Sequence, residues 1–175
     1  MTTNLFPLLS SIAMLFICFS SGCASPHFMG LPIEERHVIF ILDCDLQGER
    51  SHERLRAHIA QTVQSLGEEQ HFTVMLVGEM LWTSHPQLVP ATNEIKQSFA
   101  RQMAIPQVTI SIGDRLPFEE AFTKAFALKP DAIYFLADPW AFHSRLTDTV
   151  AKLQNNHPSP TPKIHTLAFL EYRSL

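Results

Sequence analysis

The eleven residues HVIFILDCDLQ, at positions 37–47, are the stretch on which the fold turns. Val38–Leu42 is an unbroken run of β-branched, aromatic and aliphatic side chains, too short for a helix and without polar alternation. A run of that kind reads as a strand buried on both faces, as in a parallel sheet sandwiched between helices. Three further runs repeat it: FTVMLV at 72–77, AIYFLA at 132–137 and IHTLAFL at 164–170. VTISI at 108–112 is either another strand or an extended connection.

The segments between the runs carry helical spacing. Leu55, Ile59, Val63 and Leu66 form one stripe, Glu53, Arg54, Arg56, Gln61 and Gln64 the opposite face, and Gly67 the stop. Ile95, Phe99 and Met103 form a second stripe that Pro106 ends. Residues 118–128 and 142–153 repeat the pattern, and the proline-rich stretch 158–162 leads stiffly into the last run. Strand–helix alternation throughout predicts an α/β domain: a doubly wound, mostly parallel sheet flanked by helices on both faces, over residues 37–175.

The whole chain has 175 residues, enough for one well-cored domain and too few for two ordinary ones. Thirteen basic and seventeen acidic side chains give a net charge of −4, with no basic patch to suggest nucleic acid. The charges are unevenly placed, because the first Asp, Glu, Lys or Arg is Glu34. Ahead of it, LFPLLSSIAMLFICF at 5–19 is an apolar stretch too short for a hydrocarbon core of about 30 Å. Small residues follow at once, Ser20-Ser21-Gly22-Cys23-Ala24-Ser25. That order is an export signal with a processing region. Gly22-Cys23 resembles the end of a bacterial lipobox, which makes Cys23 the candidate lipidation site, although Ser20 stands where an aliphatic residue is usual. Cleavage after Ala24 and an uncleaved anchor stay open. Each reading puts the domain on the far side of the membrane, with 1–22 as signal or anchor and 23–36 as linker. Cys44 is then the one thiol of the domain, so no internal disulfide is expected.

In doubly wound sheets, ligands bind outside the carboxyl ends of the strands, at a switch in strand order. Here the first run ends in Asp43-Cys44-Asp45-Leu46-Gln47 and the third in Asp138-Pro139-Trp140. Two readings are open. Each carboxylate caps the following turn or helix, or Asp43, Asp45 and Asp138 together hold a divalent cation such as Mg²⁺ or Ca²⁺. Trp82 and Trp140 both follow strand ends; with Gln47 and Arg115 they form a candidate binding rim, with ordinary packing as the alternative. None of the nine histidines pairs at a zinc-helix spacing; His52 and His58 are six apart. Cys44 lies between two acids, which disfavours its thiolate.

Taken in order, HVIFILDCDLQ, FTVMLVGE, LVPATNEIKQSFARQM and FEEAFTKAFALKPDAIYFLADPW resemble the von Willebrand factor A domain, particularly exported bacterial versions. The likeness spans residues 37–171 and is most specific over 125–138. It implies a von Willebrand factor A or Rossmann-like fold, and in that family a metal-ion-dependent adhesion site. Its motif is Asp-x-Ser-x-Ser, then a distant Thr, then an Asp in Thr-Asp-Gly. Asp43 and Asp138 match the two aspartates. Asp45 and Gln47 replace both serines, Arg115 or Leu116 falls at the threonine, and Ala137 and Pro139 flank Asp138. Losing the hydroxyls adds negative charge around any ion and weakens its pull on a partner carboxylate. Arg115 could even stand in for the cation by pairing with Asp43 or Asp138. The expectation is the fold without a working adhesion-type site, serving protein–protein interaction or envelope scaffolding, with no resident cofactor and no catalytic residues. Family members continue beyond the strand matching the last run. The shortened end is expected to thin one flank of the sheet, to be covered by the N-terminal segment, a protein partner or a second copy in a homodimer.

A second resemblance predicts an enzyme. An apolar strand followed by Asp43-x-Asp45 is also how haloacid-dehalogenase-type phosphatases begin, with Gly113-Asp114 as a mimic of their later metal-binding acid. Gln47 stands where Thr or Val is usual, and no Ser/Thr-then-Lys pair follows in the expected order.

Overall fold

A computed structural model of the chain describes residues 25–44, 49–78, 80–105, 117–137, 144–156 and 160–168. The VIFIL run lies in β3 (His37–Asp43), after two short strands, β1 (His27–Phe28) and β2 (Leu31–Pro32). Then come α1 (Glu49–Ser65), β4 (His71–Val77), β5 (Leu81–Thr83), β6 (Val89–Pro90), α2 (Asn93–Ala104), α3 (Phe118–Ala127), β7 (Ala132–Ala137), α4 (Ser144–Asn156) and β8 (Lys163–Ala168). The main sheet runs β5-β4-β3-β7-β8, with β6 also on β4. From β4 to β8 all pairings are parallel; β5 and β6 are antiparallel to β4. This is the doubly wound, mostly parallel sheet expected from the sequence.

The unbroken apolar runs have a simple physical reason. Successive strand residues point to opposite faces. Val38, Phe40 and Leu42 therefore meet Leu55, Ile59 and Val63 of α1 and Phe99 of α2. Ile39 and Ile41 meet Phe118, Phe122 and Phe126 of α3 and Leu146 of α4. On that second face Phe135 takes the edges of Phe118 and Phe122 at centroid distances of 5.4 and 5.1 Å.

The helix ends follow local chemistry. Thr92 caps α2 by accepting from Ile95 N at 3.4 Å, and Glu94 sits in the first turn, where the helix dipole favours an acid. Buried Lys96 donates from Nζ to Leu66 O, satisfying a carbonyl left open just past the end of α1.

Two stretches differ from their sequence reading. Residues 25–36, read as linker, hold the β1–β2 hairpin, and its Phe28 and Ile33 are buried in the α1-side core. Phe28 packs on Phe40 at 5.2 Å and on Tyr134 at 6.1 Å. The two-residue turn puts Met29 and Gly30 at positive φ, 49° and 85°, as a tight hairpin of this type demands. This stretch packs as part of the domain. The last run, read as covered on both faces, is a half-exposed strand, and among the described residues β8 is paired on one side alone. VTISI at 108–112 lies outside the described residues.

Candidate functional site

After β3 the chain moves outward to β4 and its antiparallel edge, then returns to β7 on the other side of β3. The switch in strand order therefore falls at β3, and its carboxyl end is the crevice position of this fold. Asp43 is the last residue of β3, opposite Val77 in the parallel ladder, and only 2% exposed. The next residue, Cys44, donates its N–H to Val77 O at 2.7 Å and keeps its side chain buried.

Burial first, and the neighbouring Asp43 charge second, push the Cys44 thiol from 9.0 to about 12, with Arg56 of α1 pulling the other way. Burial and the neighbouring acid both disfavour the thiolate here, in the direction expected from the sequence. At neutral pH its alkylation in the folded protein is expected to run roughly three orders of magnitude below that of an ordinary cysteine. A thiol-reactive dye followed with and without denaturant checks this. Because the folded-state value is raised, the thiol's contribution to stability is complete below pH 9 and declines as pH climbs toward 12.

Trp82 lies in β5 opposite Leu76, with β4 between it and β3, so about 10 Å separates its strand from that of Asp43. It is half-buried and packs against the α1-side core. Met80, just ahead of it, is 79% exposed. The other residues singled out from sequence, Cys23, Asp45, Gln47, Arg115, Asp138 and Trp140, lie outside the described residues, as does Asp114. Among the described residues no three His, Cys, Asp or Glu side chains gather where they could hold a metal. Also among them, no helix is long and apolar enough to cross a membrane. A surface cavity of about 450 Å³ opens elsewhere, lined by Met75, Thr83, Pro86, Lys124, Ala127 and Leu128.

Sequence reasoning missed the polar cluster at the opposite edge. Tyr134 Oη lies 3.0 Å from Pro32 O and 3.1 Å from Glu35 Oε2, and Lys163 Nζ lies 2.9 Å from Glu35 Oε1. Burial raises Glu35, but the Lys163 hydrogen bond and charge and the Tyr134 hydroxyl outweigh it and hold the carboxyl below its usual range. Burial and the Glu35 charge push the Tyr134 hydroxyl up. Beside them His37 pairs with Asp131 at 3.0 Å. No sequence spacing signals these contacts, since their partners come from distant segments.

No protein-family model matches the chain, and no curated protein matches it. Among solved structures it is similar to a von Willebrand factor type A protein from Catenulispora acidiphila, with a TM-score of 0.50 and 11% sequence identity. That similarity covers 75% of this chain and 32% of the other, so this chain spans about a third of the structure it matches. The fold is von Willebrand factor A-like. The comparisons give no support to the phosphohydrolase reading.

Proposed function

We propose that this is an exported, membrane-tethered domain that mediates protein–protein interaction or scaffolds the cell envelope, without a working adhesion-type metal site. The observation that carries the reading is the von Willebrand factor A-like sheet with Asp43 at its carboxyl-edge switch point. The donor chemistry around that position is wrong for an adhesion metal: Asp45 and Gln47 stand where two neutral hydroxyls are needed, and a buried thiol separates the two acids. More protein charge on an ion leaves less attraction for an outside carboxylate. Were an ion held, Asp43, Asp45 and Asp138 are the residues to hold it. Tethering rests on the apolar stretch at 5–19 and Gly22-Cys23.

Two measurements on the full chain test this. Metabolic labelling with palmitate should mark the wild-type protein and be lost in Cys23→Ser; an unlabelled wild type sinks lipidation. Calorimetry in detergent with Mg²⁺, Mn²⁺ and Ca²⁺ should give no binding heat. Saturable binding abolished by Asp43→Ala would instead restore a metal-dependent adhesion site.

A further inference from the structure

The first described residues of the domain lie at one particular end of it. Ile33 N donates to Pro26 O at 2.8 Å, and Ile33 O accepts from Gln70 Nε2 at 3.3 Å. Gln70 immediately precedes β4, so Pro26 is pinned beside the amino edge of the sheet. Cys23 is three residues ahead of Pro26, a reach of no more than about 11 Å when fully extended. Asp43 closes the other end of β3, which spans about 20 Å.

We infer that an anchor at Cys23 holds the amino edge of the sheet against the membrane and turns the carboxyl edge, with Asp43 and exposed Met80, toward the aqueous phase. This inference rests on the anchoring reading above. Charge attraction does not supply the orientation. The amino edge exposes Glu34, Glu68 and Glu69, and Asp131 beside them, against Arg36, Lys129 and Lys163, the last paired with Glu35. An acidic excess is repelled by anionic lipid, so the short connection alone must hold this edge close.

The test uses the full chain reconstituted into phosphatidylethanolamine–phosphatidylglycerol vesicles that carry a short-range quencher on lipid headgroups. A fluorophore is attached through Glu68→Cys at the amino edge or Met80→Cys beyond β4; Cys44 is buried and escapes labelling. The Glu68 position should be quenched several-fold more strongly than the Met80 position. A flexible Gly/Ser insertion of about ten residues between Ala24 and Ser25 should erase the difference. Equal quenching, or stronger quenching at Met80, in protein that floats with the vesicles overturns the orientation and leaves the anchor standing. Protein that does not float overturns the anchor, and the orientation with it.

Discussion

Replacing Phe28 by Ala is expected to lower the stability of the domain by about 3–5 kcal/mol, as much as removing a ring from a central strand. Phe28 is fully buried and packs edge-on against Phe40 and Tyr134, two rings that lie on adjacent strands. Its loss removes a large apolar area and leaves a cavity that the hydrogen-bonded strands beneath cannot close. A urea titration with an unchanged slope and a lowered midpoint would show this. A loss below about 1 kcal/mol, the size of an ordinary surface change, would mean that the hairpin is peripheral after all.

The second large effect is expected at Gln70, whose buried side chain fastens three backbone groups. Its Oε1 accepts from Gly67 N at 2.8 Å, and its Nε2 donates to Glu35 O at 2.8 Å and to Ile33 O at 3.3 Å. Gln70→Leu keeps the volume but leaves all three groups without this partner, the Ile33 carbonyl buried and the other two part-buried, at about 1 kcal/mol for each. The expected loss is about 3 kcal/mol in chemical denaturation. Because Gln70 and Phe28 secure the same hairpin, the double variant should lose less than the sum of the two single variants. Strict additivity would show that the two contacts act independently.

What could be read in the sequence was what local pattern decides. The runs at 38–42, 72–77 and 132–137 are buried on both sides, so their composition alone declares strands in a parallel sheet. The helical stripes of Leu55, Ile59 and Val63, and of Phe118, Phe122 and Phe126, likewise declare which face is inward. The hairpin was not legible, because strands of two residues with Pro26 and Pro32 nearby have no periodicity. Its place is decided by Phe40, Tyr134 and Gln70, from three distant parts of the chain. The edge strands β5 and β6 are similarly short, and Pro90 argues locally against one of them. Asp43 was legible as a strand-end acid, since position in the run fixes it. Which side chains it meets depends on loop geometry, and no pattern within the strand encodes that.

The central strand carries a consequence for how the protein is made. β3 has β4 on one side and β7 on the other, and His37 hydrogen-bonds Asp131 across 94 residues of sequence. Pairings between such remote segments must close a long loop before they return any stabilisation, which slows folding. As the chain emerges from the ribosome, β3 can take up β4 early, but its other flank stays open until the segment around 132–137 has been synthesised. Phe40 and Tyr134, stacked at 5.5 Å in the finished sheet, meet only then. A nascent chain of this topology therefore stays without a completed core for most of its synthesis, open to any chaperone that binds unfolded polypeptide.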